Sequence, residues 1–596
     1  MDLFRTSLAL TLTFAAPLGA QNALGLGARA HEPAPLPDKP FATWVDADHL
    51  PGILQIKFEH GTDVRLRNGR FESGSQEAAP INELMQLAGA VPRRMFDQSE
   101  DWLEAWRQAG EARSGSALHD LNLFYFIDVP EGSSGASLCD ALNGFELVSL
   151  AWPAPRGEDP VAPLSPAAPA ALGGTPNFQN AQTYLRPAPT GIDARFGNTF
   201  SGGRGIGTTI IDCETGWTDD HEDLAGKAAG QFTGWTPANY PWDHGTAVLG
   251  EMIGENNGFG VQGICWDADV LMSTHTPDSG PQNIPGSVAN AAAAAVEGDF
   301  IVVEIQCFGG APAPFPCEFD PAIFATVQTA TANGVHVFAA AGNGGHDLDQ
   351  AAYGGAFDLQ VKDSGAVLVG ATNGQQLVTA GFSNYGSRVT SNGWGEDVAT
   401  TGYGDLQGGP ATQEYTAFFS GTSSATPIVT GAGVILNSVH REAFGSDLDP
   451  LALRSLLADT GTPQVSGGAI GTRPDLQSAI RALGVPEVEV TGDLVPGGTL
   501  NVTNYGEPGD TYALFWSKSI EFENPLHQPP FGYFYLTGIV LEFNVNGVIG
   551  PGGSTTDSYT IPLGLSGLRS YFQSLHGFGT QPGTGSFSNV LLWRIN

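Results

Sequence analysis

Four polar side chains stand at points of the chain where a hydrolase would need an acid, a base, a hydrogen-bond donor and a nucleophile. They are Asp212, His244, Asn343 and Ser423. Asp212 and Asn343 each follow an apolar run, and His244 and Ser423 each open a run with helical spacing. The carboxyl ends of parallel strands and the amino ends of the following helices meet at one edge of a sheet. We therefore expect the four side chains to share one cleft.

These residue types are the ones that nucleophilic acyl transfer requires. The hydroxyl of Ser423 would attack a carbonyl carbon, and His244 would take its proton and return it to the leaving group. Asp212 would hold the imidazole in one tautomer and stabilise the imidazolium. Asn343 and the backbone N–H of Ser423 would receive the oxyanion. Each residue alone also fits a turn, a helix start or an N-cap, but their joint presence in this order favours catalysis.

The elements that would position these residues lie in the segment 176–484. There, β-branched strands such as "GTTIID" and "DFIVVEIQ" alternate with helical stretches, a pattern typical of an α/β domain with a parallel sheet covered on both faces. Residues 41–151 mix both kinds of element and predict an α+β module, and 152–175 form a Pro/Ala-rich linker. Residues 485–596 contain short strands between turns, which predicts an all-β, sandwich-like domain.

The first residues, 1–20, have the pattern of a signal peptide. Arg5 precedes an apolar stretch that ends near Pro17, and small residues precede Gln21. The apolar stretch is too short to span a bilayer comfortably, and no later stretch is long and apolar enough to do so. A buried N-terminal helix is the alternative. We expect a secreted protein, extracellular or periplasmic, without a membrane span.

The composition excludes some classes of partner. Sixty-two acidic residues against 25 basic ones give a formal net charge of −37, which argues against nucleic acid as a partner because phosphate binding needs clustered Lys and Arg. Five cysteines are too few for a disulfide scaffold, and none is paired as C-x-x-C, so we expect no zinc site. Cys307 and Cys317 bracket a Pro/Gly-rich loop, and their spacing permits a disulfide. We expect a monomer.

The motifs "HGT", "AAGN" and "GTSSATP" resemble the histidine, asparagine and serine blocks of the subtilisin-like serine proteases, the subtilase family. "FSNYG" resembles the segment before the serine block, and the resemblance covers about 176–484. It implies a serine endopeptidase that forms an acyl-enzyme on polypeptide substrates and needs no cofactor for its chemistry. It also implies a zymogen whose pro-domain assists folding and is cleaved off, a role that the module 41–151 fits.

The aspartate block departs from the family pattern. The family has Asp-Ser/Thr-Gly, whereas this chain reads Asp212-Cys213-Glu214-Thr215-Gly216. We assign Asp212 to the triad and regard Glu214 as a neighbour that shifts a pKa. Sedolisin-like acid peptidases, which pair a glutamate with the serine, are an alternative, although they lack the base that His244 provides. A catalytically silent scaffold protein is another alternative, although all four positions are intact.

The resemblance also implies how a substrate would bind. In the family a peptide adds as a strand beside the cleft. In this chain the walls of the cleft would be formed by small residues and one aromatic residue: Cys307, Phe308, Gly309, Ala340 and Gly342. Glu304 and Gln306 are unusual polar residues on the same segment that would either line a pocket or face solvent.

The loop "ENNGFGVQG" resembles a calcium-binding loop of several relatives. Glu255, Asn257 and Gly263 would offer side-chain and carbonyl oxygens to the ion. Calcium would then be a structural ion, with no part in the chemistry.

Overall fold

A computed structural model of the chain describes residues 32–75, 77–159, 168–170, 174–238, 242–492, 495–506, 508–520, 526–527, 533–534, 536–561, 569–577 and 586–594. The predicted signal peptide, residues 1–20, lies outside these ranges.

The N-terminal unit, residues 49–158, is a sheet covered by helices. Its elements are β1 (His49–Phe58), β2 (Arg65–Arg67), β3 (Arg70–Glu72), α1 (Ala79–Ala88), β4 (Val91–Arg94), α2 (Glu100–Ser114), β5 (Phe124–Asp128), α3 (Gly135–Asn143) and β6 (Val148–Glu158). Strand β1 is central, with β5 and β6 antiparallel on its two sides. Helix α2 is capped by Ser99, whose hydroxyl accepts the N–H of Trp102, and at its other end by Gly115, which has a φ of 70°.

The predicted linker starts too early. Residues 152–158 continue strand β6, which pairs with β1 as far as Pro155. The Pro/Ala-rich composition predicts an extended backbone correctly, but not that tertiary pairing would hold it. Trp152 is held as well, because its indole N–H donates to Asp320 at 2.8 Å.

The central unit, residues 194–482, contains the parallel sheet. Its elements are α4 (Ala194–Gly197), β7 (Thr209–Glu214), α5 (Ala225–Ala228), α6 (Asp243–Ile253), β8 (Asp269–Thr274), α7 (Ile284–Ala294), β9 (Phe300–Val303), β10 (Gln306–Phe308), β11 (Phe315–Pro316), α8 (Pro321–Ala332), β12 (His336–Ala340), β13 (Val367–Thr372), β14 (Val389–Trp394), β15 (Val398–Thr401), β16 (Tyr415–Phe419), α9 (Thr422–Phe444), α10 (Pro450–Thr460), β17 (Thr462–Pro463), β18 (Thr472–Arg473) and α11 (Leu476–Ala482). The sheet order is β17-β18-β14-β13-β12-β9-β7-β8. All neighbours from β18 to β8 pair in parallel, as predicted.

Each strand of this sheet serves two cores, because successive side chains point to opposite faces. Ile210 packs into the core that contains α6 and α9, whereas Ile211 packs into the core that contains α7 and α8. Strand β9 does the same with Val302 and Ile301. Near-continuous apolar strands are therefore what this architecture requires.

The N-terminal and central units share a sheet. Strands β10 and β11 of the central unit join β6, so that the order is β11-β10-β6-β1-β5-β4. The pairing of β10 with β6 is antiparallel and places Gln306 opposite Glu158. This joint sheet brings the end of β6 close to the carboxyl edge of the parallel sheet.

After residue 484 all the regular elements that the structure describes are strands. They are β19 (Glu487–Gly492), β20 (Thr499–Tyr505), β21 (Thr511–Ile520), β22 (Leu526–His527), β23 (Tyr533–Phe534), β24 (Leu536–Val548), β25 (Ser554–Thr560), β26 (Arg569–His576), β27 (Ser586–Phe587) and β28 (Leu591–Arg594). Val488 and Val502 of one sheet pack with Leu514 and Phe572 of another.

Among the helices in the described ranges, none is both long and apolar enough to cross a membrane.

A buried ion pair ties the segment before α8 to the start of β14. Arg388, 1% exposed, places Nε 2.7 Å from Oε1 of Glu318, which is 5% exposed. A second guanidinium nitrogen donates to the other carboxylate oxygen at 2.8 Å, and the hydroxyl of Ser364 donates to that oxygen as well.

We predict that Arg388→Ala lowers the free energy of unfolding by about 3–5 kcal/mol, because it leaves the buried Glu318 carboxylate without its cation. Arg113→Ala, which breaks a solvent-exposed pair with Glu297, is the control and should cost about 0–1 kcal/mol. Urea denaturation followed by intrinsic fluorescence measures both. Equal losses in the two variants would contradict the prediction.

Candidate active site

A buried imidazole–carboxylate pair lies at the carboxyl edge of the parallel sheet. His244 is the second residue of α6 and is 3% exposed, and Glu214 is the last residue of β7 and is completely buried. Nδ1 of His244 lies 2.8 Å from Oε1 of Glu214. A strand end and a helix start thus supply the two groups, as the sheet topology predicts.

The prediction that Asp212 holds this imidazole is wrong. Asp212 and Glu214 point to the same face of β7, but they are two residues apart along the strand, about 6.6 Å. Oδ2 of Asp212 accepts the indole N–H of Trp217 at 2.8 Å. Oδ1 has no hydrogen-bond partner among the described residues. The sequence held a signal for the right residue, because Glu214 keeps the acid-Thr-Gly spacing when the motif is counted back from Gly216.

Both acids of β7 are hard to ionise. Burial raises the pKa of Asp212 to about 8, with the nearby charge of Asp159 adding to the rise and the Trp217 hydrogen bond opposing it. Burial also raises the pKa of Glu214 well above its usual value, and the charges of Asp159 and Asp212 raise it further. The expectation that Glu214 shifts the pKa of a neighbour stays a prediction.

Ser423 sits in the first turn of α9 with an uncommitted hydroxyl. Gly421 occupies the N-cap position with a φ of 107°, which glycine adopts readily, so Ser423 is not the cap. Ser423 is completely buried, and its Oγ makes no hydrogen bond to any residue that the structure describes. A buried hydroxyl at the positive end of a 23-residue helix is well placed to react.

Asn343 faces the same helix start. Its Oδ1 accepts the backbone N–H of Thr422 at 2.9 Å and the Thr422 hydroxyl at 3.0 Å. Because a backbone N–H can only donate, this contact fixes which end of the amide is oxygen and leaves Nδ2 as a donor. The backbone N–H of Asn343 donates to Oε1 of Gln306 at 2.9 Å, which anchors the loop to β10.

The helices that carry the base and the hydroxyl pack against each other. Phe419, four residues before Ser423, meets the His244 ring edge-on with 5.5 Å between ring centres. Glu304 lies beneath this region and is completely buried, so it does not face solvent. Burial raises its pKa, and the nearby hydroxyls of Thr426 and Ser423 lower it only in part, since neither makes a hydrogen bond of normal geometry to it.

The residues predicted to form the walls of the substrate cleft lie on and directly after β10 and at or after the end of β12. Cys307 forms a disulfide with Cys317, as their spacing permits, and Phe308 packs on Arg156 of β6. Gly309, with a φ of 111°, follows β10. Ala340 ends β12, and the N–H of Gly342 donates to the Thr422 hydroxyl at 3.2 Å. Their role in substrate binding stays a prediction.

Sequence reasoning missed Asp159, which directly follows β6. This residue is 3% exposed and enters the space beside Glu214 and His244. One ligand atom from each of these three residues lies within 4.8 Å of the others, and no other such group of His, Cys, Asp or Glu occurs in the described ranges. A single Asp in a Pro-rich stretch carries no signal of this placement, because the pairing of β6 with β10 creates it.

Two side chains of the predicted calcium loop form hydrogen bonds with other groups of the protein. Glu255 accepts the N–H of Gly226 at 2.8 Å. Asn257 accepts the N–H of Phe259 at 3.2 Å and directs its amide nitrogen to Asp223. Calcium binding stays a prediction.

Residues 204–479 match the family model described as "Subtilase family". This stretch is a subtilisin-like serine protease domain. An "Intracellular serine protease" of Paenibacillus polymyxa is 28% identical over 283 residues, which are 45% of this chain and 79% of the relative. An "Alkaline protease" of Alkalihalobacillus alcalophilus is 28% identical over 235 residues, so the chain spans about half, 54%, of that relative. The solved structure of the patellamide maturation protease PatA is 23% identical over 47% of this chain and 97% of its own, with a TM-score of 0.36.

We predict that Asp212→Asn flattens the dependence of protease-domain stability on pH. The folded state keeps the Asp212 proton up to about pH 8, whereas an unfolded chain loses it near pH 4. Between these values the folded state binds more protons, so this group lowers the free energy of unfolding as pH rises, by up to about 1.4 kcal/mol per pH unit. Urea denaturation from pH 4 to 8 should give a shallower decline for the variant. Parallel curves would contradict the assignment.

Proposed function

We propose that the chain is a secreted serine endopeptidase whose triad is Ser423, His244 and Glu214. The observation that carries this proposal is the 2.8 Å contact between Nδ1 of His244 and Oε1 of Glu214, in a domain of the subtilase family. A carboxylate that accepts from Nδ1–H leaves Nε2 as the basic nitrogen. The buried hydroxyl of Ser423, uncommitted at a helix N-terminus, is the nucleophile.

The reaction follows from these groups. His244 takes the proton of Ser423 as its Oγ bonds to the carbonyl carbon of the scissile peptide, and the carbonyl oxygen becomes an oxyanion. The Nδ2 of Asn343 and the backbone N–H of Ser423 stabilise that charge. The imidazolium then protonates the leaving amine, the C–N bond breaks, and an acyl-enzyme remains. Water, deprotonated by His244, releases the acid and restores Ser423.

Glu214 supports this cycle by stabilising the imidazolium that forms twice per turnover. The raised pKa of Glu214 opposes this role, since a protonated carboxyl stabilises a cation less well. Part of the rise comes from Asp159, which belongs to the segment that precedes the protease domain. Removal of that segment would therefore lower the pKa of Glu214 toward the range in which it is ionised.

The remaining predictions complete the proposal. Residues 1–20 direct secretion; one relative is named as intracellular, so secretion rests on this leader alone. The N-terminal module, 41–151, is a pro-domain that is cleaved off, and 485–596 form an accessory all-β domain. The active protein is a monomer that acts on polypeptides and needs no cofactor, with calcium as a candidate structural ion.

Two alternatives make different predictions. In a sedolisin-like peptidase Glu214 would act directly on the serine, but here its carboxyl bonds to His244. In a silent scaffold Ser423 would be unreactive, although no group of the site is missing. The first experiment is therefore labelling with a fluorophosphonate and intact-mass analysis, with Ser423→Ala as the control. One adduct on the wild type alone supports the endopeptidase, and none on a processed, folded chain supports the scaffold.

A comparison of Glu214→Gln with Asp212→Asn tests the triad. We predict that Glu214→Gln lowers kcat by about 10⁴-fold, because a neutral amide neither holds the required tautomer nor stabilises the imidazolium. Asp212→Asn is the matched control on the same strand and should stay within about tenfold of the wild type, since Asp212 contacts Trp217 and not His244. Hydrolysis of a chromogenic peptide by the purified active enzyme measures both. The reverse ranking would return Asp212 to the triad.

A further inference from the structure

The geometry points to a subsite in the catalytic cleft that binds the carboxylate side chain of a peptide strand, formed by His275 and the backbone N–H of Thr215 and filled in this chain by Asp159. The inference rests on the proposed function, because it identifies a side-chain class that the peptidase recognises. No residue of the predicted substrate walls belongs to it.

Asp159 reaches this position along a paired strand. The last residues of β6 run antiparallel to β10, with Arg156 opposite Phe308 and Glu158 opposite Gln306. Gln306 in turn accepts the N–H of Asn343 at 2.9 Å. The segment that ends in Asp159 therefore lies in the cleft in the manner of an added peptide strand.

Two donors of the protease domain hold the Asp159 carboxylate. Oδ2 accepts the backbone N–H of Thr215 at 3.0 Å, and Oδ1 lies 3.1 Å from Nε2 of His275. His275 is completely buried and Thr215 is 7% exposed. Burial opposes the charged form of Asp159, yet the hydrogen bond from His275 helps to lower the pKa of this carboxyl below its usual range.

Gln282 fixes the tautomer of His275. Its Oε1 accepts the N–H of Gly157 at 2.7 Å and its Nε2 donates to the Gly157 carbonyl at 2.7 Å, so the two ends of the amide are distinguished. The same Nε2 lies 3.0 Å from Nδ1 of His275. An amide nitrogen can only donate, so Nδ1 accepts and the ring proton sits on Nε2, facing Asp159.

The two groups that bind the carboxylate, and Gln282, which orients one of them, all belong to the protease domain. Thr215 follows β7, His275 follows β8, and Gln282 precedes α7. Only the occupant, Gly157 to Asp159, comes from the end of β6 and the residue that follows it. Gln282 hydrogen-bonds to the backbone of the strand and His275 to its side chain. Another strand bound in the same register would therefore contact the same groups.

The neighbouring acid limits what this subsite does. The Asp159 carboxylate helps to raise the pKa of Glu214, which lies beside it. A strand with an aspartate at this register should therefore bind tightly, while its charge hinders the triad. We therefore expect an aspartate at this register to lower KM or Ki and not to raise kcat.

The first test measures the hydrogen bond between Asp159 and the backbone N–H of Thr215 in a chain that cannot catalyse. Full-length chain carrying Ser423→Ala is compared with and without Asp159→Ala by amide hydrogen exchange at Thr215. Loss of the acceptor should speed exchange of this amide at least about tenfold, whereas Glu158→Ala, one residue earlier and partly exposed, should leave it unchanged. An unchanged Thr215 rate in Asp159→Ala would overturn the proposal.

The second test uses the purified active enzyme. Two amidated peptides with the sequence of residues 148–159, one carrying Asp159→Asn, compete with a chromogenic substrate. The aspartate peptide should have a Ki at least about tenfold lower, as a charge-assisted hydrogen bond implies. This advantage should shrink in enzyme with His275→Ala, which keeps only the Thr215 N–H as a donor, and return in part with His275→Gln, whose amide can also donate. Equal Ki values for the two peptides on wild-type enzyme would overturn the subsite.

The two tests separate this inference from the proposed function. A chain that takes no fluorophosphonate but shows the Thr215 effect has the carboxylate subsite without the endopeptidase. A chain that is labelled and shows neither the exchange effect nor the difference in Ki is an endopeptidase without this subsite.

Discussion

The hydrogen bond between His244 and Glu214 joins two almost completely buried side chains, and the surrounding elements must hold both without the help of water. Glu214 ends strand β7, where it pairs with Thr274 of β8, and the residue before it pairs with β9 on the other side. His244 lies in the first turn of α6, and Phe419 closes one edge of its ring. Because both partners come from rigid elements, the distance between them is set by the packing of α6 on the sheet.

This pair lies in an interior that is rich in acids. Asp212, Glu251 and Glu304 are all completely buried, and burial raises the pKa of each. Neither carboxyl oxygen of Glu251 or Glu304 has a hydrogen-bond partner among the described residues. Acids in such surroundings keep their protons where exposed acids lose them. The formal charge of −37 therefore overstates the negative charge that the folded protein carries near neutral pH.

The sequence was sufficient for the parallel sheet, because continuous apolar strands between helices have few other solutions. It also placed His244 and Ser423 at helix starts and Asn343 after a strand, where the structure has them. Their catalytic roles stay predictions. The sequence misled at β7, where two acids two residues apart lie on one face and only the three-dimensional position of His244 distinguishes them. It was silent on Asp159 and His275, whose meeting depends on pairing between β6 and β10. Composition correctly indicated an extended backbone at 152–158, but composition does not encode a tertiary partner.

The shared sheet gives the end of β6 two roles that cannot be separated. While β6 is in place, β10 has a strand on each side and its hydrogen-bonding groups are used. Departure of β6 would expose one side of β10 and empty the space beside Glu214 at the same time. Three changes would thus occur together. The free edge of β10 could pair with a peptide, the two donors that hold Asp159 could bind another carboxylate, and Glu214 would lose a neighbouring negative charge. One paired strand is enough to couple these three changes, because the same few residues, Arg156 to Asp159, make all the contacts.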